Sequence, residues 1–188
     1  MVLFEFNEII KNKYINQQNI LNYDEFKIKA LDIFSSILVF YFSRINQKYI
    51  ENILYFEKTN IFISCIDNKF NSKNITSILM CHKTESSNII KYYILLLGTH
   101  ERFRKFGYGK VILDEFVDYI KKKSNSTNNK RKIKIILKSL ESSINFYLDY
   151  GFVKSNSKVI TNKLFYKYET LSELKSNKDK ILEFEIKI

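Results

Sequence analysis

The most informative part of the sequence reads Leu97-Gly98-Thr99-His100-Glu101-Arg102-Phe103-Arg104-Lys105-Phe106-Gly107-Tyr108-Gly109-Lys110. An apolar strand pattern ends at Thr99, a basic turn with two glycines follows, and a helical pattern begins at Tyr108. Such a turn points backbone N–H groups at the space before the helix, where the helix dipole adds partial positive charge. Full positive charges come from Arg104, Lys105 and Lys110. We therefore predict a site for phosphate oxygens at the start of this helix.

The segments around this turn predict an α+β fold. A period of two, typical of strands, occurs at residues 2–6, 61–66, 75–82, 89–99, 133–137, 159–168 and 181–188. Helical spacing occurs at residues 24–42, 46–54 and 108–122, and again from Ser142 or Ser143 to a stop at Gly151. We expect a mixed, mostly antiparallel seven-stranded sheet flanked by helices, in a single domain over residues 1–188.

A second motif follows the fifth predicted strand: Ser143-Ile144-Asn145-Phe146-Tyr147-Leu148-Asp149-Tyr150-Gly151-Phe152. The chain has no proline and only four glycines, so few accidental glycine patterns are available. In this order, the two motifs resemble those of the GNAT superfamily of acetyltransferases. That family has Arg/Gln-x-x-Gly-x-Gly/Ala after strand four and Phe-Tyr-x-x-x-Gly-Phe at the end of the helix after strand five.

The resemblance implies acetyl-CoA as the cofactor and gives roles to the residues of both motifs. Tyr147 would act as the general acid that protonates the leaving CoA sulfur. The backbone of residues 95–99 would position the acetyl and pantetheine groups. The implied cofactor-binding residues are Leu97, Gly98, Thr99, Arg104, Lys105, Phe106, Gly107, Tyr108, Gly109, Lys110 and Tyr147.

Within that superfamily, the chain is similar to N-terminal acetyltransferase catalytic subunits of the NatE type. The segments that carry this likeness are Tyr93-Ile94-Leu95-Leu96-Leu97-Gly98 and Phe165-Tyr166-Lys167-Tyr168-Glu169. It implies a protein or peptide N-terminus as the acceptor and Tyr93 as a second catalytic residue. The implied substrate-binding residues are Phe34, Tyr93, Leu95, Phe165 and Tyr166.

The chain also departs from that pattern. Leu140 replaces an asparagine, only the phenylalanine of a Phe-Pro-Val loop remains at Phe34, and the fifth predicted strand has no histidine. The general base is therefore open, with His82 as a candidate relay and Glu101 as the nearest carboxylate. A lysine or small-molecule amine acetyltransferase, or a silent CoA-binding module, stays an alternative.

The absence of an evident base favours an α-amine acceptor. An α-amine has a pKa near 7.7–8.0 and a lysine amine a pKa near 10.4. At pH 7 the neutral fractions are on the order of 10% and roughly 0.04%, a difference of about 3 kcal/mol. A site without a strong base suits the amine that is already partly neutral.

Composition and charge limit the remaining possibilities. The formal net charge is +11, and residues 121–132 contain six basic residues and no acid, which predicts a basic low-complexity insert. This insert is a candidate contact for an auxiliary subunit or the ribosome, and charge alone also allows a nucleic-acid-binding domain without sequence specificity. Cys65 and Cys81 have no metal-ligand spacing and predict core thiols. With no signal-peptide or membrane-spanning pattern, we expect a cytoplasmic or nuclear protein and no metal.

Overall fold

The computed structural model describes residues 2–16, 23–41, 53–54, 59–67, 72–126, 131–139, 141–155 and 180–186. Its strands are β1 (Val2–Glu5), β2 (Thr59–Cys65), β3 (Ile75–Glu85), β4 (Ile89–Thr99), β5 (Lys132–Ser139), β6 (Val153–Lys154) and β7 (Lys180–Ile186). Its helices are α1 (Phe6–Asn16), α2 (Tyr23–Tyr41), α3 (Tyr108–Ser126) and α4 (Ile144–Tyr150). Short 3-10 turns occur at Ser72–Asn74, Glu101–Phe103 and Glu141–Ser143.

The strands form a seven-stranded sheet in the order β1-β2-β3-β4-β5-β7-β6. β4 and β5 are parallel, whereas β1–β2, β5–β7 and β6–β7 are antiparallel. The predicted α+β class with a mixed, mostly antiparallel sheet is therefore confirmed. Two compact units exist: Met1–Cys81 with Leu96–Tyr119, and His82–Leu95 with Ile120–Ile188.

The core of the first unit includes aromatic packing between β2 and α3. The ring of Phe62 lies 4.9 Å from that of Phe116 and 5.1 Å from that of Tyr119, between ring centroids. The Tyr119 hydroxyl donates a 2.8 Å hydrogen bond to Glu5, and Ser64 donates one of 3.4 Å to Glu115. These contacts fix the helix that begins at the basic turn, because burial of each large apolar side chain contributes about 1.5–3 kcal/mol.

The second unit is organised around β5, which lies between β4 and β7. Gly151 ends α4 in the left-handed conformation, with φ of 110°, and its N–H donates to the carbonyl groups of Leu148 and Tyr147. A Cβ atom at this position would lie 3.4 Å from the Phe184 ring, so glycine also permits close packing against β7. The predicted helix stop at Gly151 is confirmed.

Several boundaries differ from the sequence prediction. The helix α1 was not predicted, although Phe6, Ile9 and Ile10 have helical spacing; Phe6 stacks on Phe34 at 4.4 Å. The helix α3 continues through residues 121–126, so only residues 127–130 of the predicted basic insert lie outside the described residues. The two-residue strand β6 was also missed. The predicted strand at residues 159–168 and most of the helix at 46–54 lie outside the described residues.

Candidate functional site

The turn between β4 and α3 is held in place by its own backbone. The His100 N–H donates to the Thr76 carbonyl at 2.9 Å, which attaches the start of the turn to β3. His100 Nδ1 accepts a 3.1 Å bond from the Arg102 N–H and thereby caps the 3-10 turn that follows. Burial first, and then the nearby Arg102, lowers the pKa of His100, which favours the neutral ring that this cap requires. The capping contact gives His100 a structural role.

Two residues in the turn have left-handed backbone conformations. Lys105 has φ of 69° and Gly107 has φ of 82°. A left-handed non-glycine residue costs about 1–2 kcal/mol, so the turn at Lys105 is strained. The Gly107 carbonyl accepts bonds from the N–H groups of Lys110 and Val111, at 2.9 and 3.1 Å, and so begins α3.

This conformation leaves a row of backbone donors at the N-terminus of α3. Within the described part of the chain, the N–H groups of residues 105–109 make no backbone hydrogen bond of good geometry, although residues 104–107 fold as a turn. A Cβ atom built on Gly107 would meet nothing within 4 Å, so the space beside it is open. Consecutive N–H groups around left-handed residues form concave sites for anions, and the helix dipole reinforces them. The turn is therefore a candidate cradle for phosphate.

The basic side chains of the turn differ in their partners. Arg104 Nε donates to the Thr99 carbonyl at 3.4 Å, and the Arg104 guanidinium lies 3.8 Å from the Glu101 carboxylate. Lys110 forms a 2.8 Å ion pair with Asp114 one helical turn further on. Both pairs are exposed and contribute little to stability, so an anion could displace them. Lys105 has no ion pair within the described ranges.

The strand β4 changes character after Ile94. Up to that residue, buried and half-buried side chains alternate and β4 pairs with β5; the last pair is Ile94 with Leu137. From Leu95 to Thr99 every side chain is half-exposed, and in the described residues no pairing with β5 continues. From Leu96 to Thr99, backbone groups on that side of the strand are therefore available to a ligand.

The hairpin formed by β3 and β4 contains a β-bulge. Ser86 N–H donates to the Ile89 carbonyl at the turn, and the Ser77 and Thr99 hydroxyls meet at 3.0 Å at the other end. Between these two contacts, the β4 side runs from Ile89 to Thr99 and has one residue more than the β3 side, which runs from Ser77 to Ser86. An extra residue on one strand is a bulge, and the loss of alternation places it after Ile94. Sequence reasoning missed both the bulge and the Ser77 contact, because strand pairing has no local signal.

Tyr147 lies in α4 and is only 8% exposed. The Phe146 and Phe152 rings pack edge-on against it, with centroids 5.0 and 5.5 Å away. Burial raises the pKa of Tyr147 to about 12, so its hydroxyl keeps its proton at neutral pH. The residue can therefore donate a hydrogen bond, but it cannot supply an anion.

The residues predicted to bind the substrate have different environments. Tyr93 and Leu95 are half-exposed on β4, which suits contact with a ligand. Phe34 is 2% exposed and stacks on Phe6, which favours a core role. Phe165 and Tyr166 lie outside the described residues, and a substrate-binding role for all five residues stays a prediction.

The remaining candidate groups are placed as follows. His82 is buried in β3, and Glu101 is exposed at the first position of the 3-10 turn. Cys65 and Cys81 are buried free thiols, and burial raises the pKa of Cys81 far above its usual range. In the described parts of the chain, no cluster of three or more His, Cys, Asp or Glu residues could hold a metal ion. No helix there is both long enough and apolar enough to span a membrane.

Comparison with known proteins supports the fold. No protein-family model and no curated protein sequence matches the chain. The structure of Tetrahymena GCN5 is similar with a TM-score of 0.55 and 12% identity, over 85% of this chain and 88% of that one. A ribosomal-protein-alanine N-acetyltransferase from Brucella melitensis has a TM-score of 0.50 and 13% identity, over 70% of this chain and 92% of that one. The chain therefore has the fold of the GNAT acetyltransferases.

Proposed function

We propose that the chain belongs to the GNAT superfamily and transfers an acetyl group from acetyl-CoA to a primary amine. The observation that carries the proposal is the open row of backbone donors at residues 105–109, at the N-terminus of α3. A pyrophosphate is the part of CoA that such a row of donors fits, because it has two adjacent anionic groups. The fold and the two sequence motifs support the same activity.

The residues of the chain suit acetyl-CoA in two further ways. Arg104 and Lys105 place positive charge beside the donors, and their weak or absent ion pairs let them turn to phosphate oxygens. The backbone from Leu96 to Thr99, beyond the last pair with β5, can hydrogen-bond amide groups of the pantetheine arm. Acetyl-CoA, when bound, supplies an acetyl group activated as a thioester.

The reaction requires two proton movements. The acceptor nitrogen attacks the carbonyl carbon, the new N–C bond forms, and the C–S bond breaks. The nitrogen loses a proton, and the leaving sulfur gains one or a strong hydrogen bond. We assign the second role to the Tyr147 hydroxyl, in agreement with its motif.

The raised pKa of Tyr147 indicates how the hydroxyl helps. Complete transfer from a phenol with a pKa of about 12 to a thiolate whose acid has a pKa near 8.5 is uphill by roughly 5 kcal/mol. Donation of a hydrogen bond to the developing negative charge has no such penalty and stabilises the transition state. Tyr147 therefore stabilises the sulfur while solvent completes its protonation.

The acceptor that we propose is the N-terminal α-amine of a protein or peptide, as in the NatE-type enzymes. The lower pKa of an α-amine supports this choice, because a larger fraction is neutral and ready to attack. The half-exposed Tyr93 and Leu95 on β4 offer an aromatic and apolar surface for the first residues of a peptide. The Brucella enzyme, whose name specifies a ribosomal-protein alanine, shares the fold.

A competition assay tests the acceptor. Peptides that begin with Met and an apolar or acidic second residue should be acetylated faster than N-terminally blocked peptides that contain lysine. At pH 7 the neutral-fraction difference alone predicts a rate ratio of about a few hundred. Mass spectrometry of an equimolar mixture measures the ratio directly. Equal rates for the two peptides would overturn the α-amine assignment and leave the acetyl transfer itself intact.

The basic surface supports a proposal about partners. Lys121, Lys122 and Lys123 are exposed on the last turns of α3. We propose that they and the following basic residues contact an auxiliary subunit or the ribosome, in the cytoplasm or nucleus. The wild-type protein should co-sediment with ribosomes, and deletion of residues 124–131 together with neutralisation of these lysines should abolish it. Co-sedimentation that persists in this variant would show that the basic surface does not make the contact.

A further inference from the structure

We propose that His82 acts through Tyr93 to take the proton that the acceptor amine must lose. Tyr93 would touch the acceptor, and His82 would be a positioning residue on the neighbouring strand. This inference rests on the proposed acetyl transfer and adds the proton path that the transfer needs. Its basis is the register of the β3–β4 hairpin.

Two contacts near the hairpin turn fix that register. The Ser86 N–H donates to the Ile89 carbonyl at 2.9 Å, which makes these residues an opposed pair. The Lys83 ammonium lies 5.9 Å from the centre of the Tyr92 ring, as expected for residues directly opposite each other. Counting one residue along each strand from Lys83 and Tyr92 places His82 opposite Tyr93. The bulge lies after Ile94, so it does not disturb this pair.

Opposed residues on antiparallel strands have their side chains on the same face, with Cβ atoms about 4.5–5.5 Å apart. That separation allows an imidazole and a phenol to interact directly or through one water. His82 is 4% exposed, whereas Tyr93 is half-exposed. A peptide can therefore contact Tyr93 directly, but it can reach His82 only through Tyr93.

The charged groups on this face favour loss of a proton. Lys91 lies two positions before Tyr93 on the same face of β4 and pairs in register with Lys134 of β5. Glu185 of β7 stands opposite Lys134. Thr84, opposite Lys91 by the same count, is uncharged. The same register places Lys132 beside Ile89. Glu183 stands opposite Ile136, the partner of Tyr93. Three lysines against two glutamates disfavour an additional proton on this face, on the acceptor amine and on His82 alike, so the proton passes on to solvent.

The chemistry of the nearby side chains identifies His82 as the group that takes up the proton. The strand β4 has no carboxylate from Ile89 to Thr99. Imidazole is the side chain whose protonation ordinarily changes near neutral pH, so it can accept a proton from an ammonium group. Because His82 is buried, it returns the proton through Tyr93 to solvent after the acetylated product leaves. In the proposed step the Tyr93 hydroxyl takes the amine proton as it passes its own proton to His82. Tyr93 therefore stays neutral while the N–C bond forms, because it gains one proton and gives up another.

The pH profile of His82→Gln tests this path. Glutamine keeps a hydrogen-bonding group but cannot act as a base near pH 7. For acetyl transfer to a peptide α-amine, we expect kcat at pH 7 to fall about 10²-fold with an unchanged KM for acetyl-CoA. At pH 9.5 the amine is neutral without help, so the variant should approach the wild-type rate to within about threefold.

Two further variants keep the test decisive. Tyr93→Phe should show the same alkaline recovery, and His82→Asn takes the place of His82→Gln if that variant does not fold. Lys83→Gln, the next residue on the opposite face, should match the wild type at every pH. A loss in both His82→Gln and Tyr93→Phe that is constant from pH 7 to 9.5, or no loss, would overturn the path. A wild-type protein that acetylates no amine would instead refute the proposed function.

Discussion

Tyr147→Phe should lower the turnover number by about 10²–10⁴ while acetyl-CoA affinity and thermal stability stay near the wild-type values. The substitution removes only the hydroxyl oxygen, so the edge-on packing with Phe146 and Phe152 is retained. Because the leaving sulfur would lose its hydrogen bond, the effect should fall on kcat. The raised pKa of Tyr147 favours the lower end of the range, since solvent already completes the protonation.

A matched control and a pH profile accompany this variant. Tyr150→Phe, on the same helix, also keeps a ring that packs against Phe152 and Phe184, and it should leave turnover unchanged. The wild-type rate should not decline between pH 8 and 10, because a phenol with a pKa of about 12 remains protonated there. Normal turnover by Tyr147→Phe would make Tyr147 a packing residue.

Gly107→Asp should weaken acetyl-CoA binding by at least about 100-fold, or about 2.8 kcal/mol. The side chain would enter the open space beside the row of N–H groups, where its carboxylate could accept their hydrogen bonds in place of a phosphate. Its negative charge would also repel the pyrophosphate. Isothermal calorimetry with acetyl-CoA measures the change.

Gly107→Asn separates charge from shape. Asparagine has nearly the same size and tolerates the left-handed conformation that φ of 82° requires, but it has no charge. We expect its affinity to lie between those of the wild type and Gly107→Asp. Wild-type affinity in Gly107→Asp would remove the turn from the cofactor site.

Local patterns explain why so much of the fold could be predicted from the sequence. The alternation in residues 89–99 predicts β4 to the residue, and the helical stripe before Gly151 predicts α4 and its end. The glycine and basic residues at 104–110, followed by a helical stripe, predict the turn at the N-terminus of α3. By contrast, α1 has the same kind of apolar spacing as α3, but a strand pattern at residues 2–6 concealed its start.

Features that depend on strand pairing could not be predicted. The bulge in β4, the Ser77–Thr99 contact and the position of His82 opposite Tyr93 all require the register of the β3–β4 hairpin. The Lys110–Asp114 pair is different, because its spacing of four residues on a helix is a local signal. Phe34 was placed by resemblance, and its stacking on Phe6 depends on the packing of two helices.

The central claim is acetyl transfer by the wild-type protein, and mass spectrometry tests it most directly. The protein is incubated with acetyl-CoA and a Met-starting peptide with a free N-terminus, beside a sample that contains Gly107→Asp. With acetyl-CoA near the wild-type Kd, we predict an acetylated peptide and an equal amount of free CoA with the wild type, and at most a few per cent of either product with the variant. Acetyl-CoA that remains intact with the wild type, against α-amines and lysine peptides alike, would contradict the account.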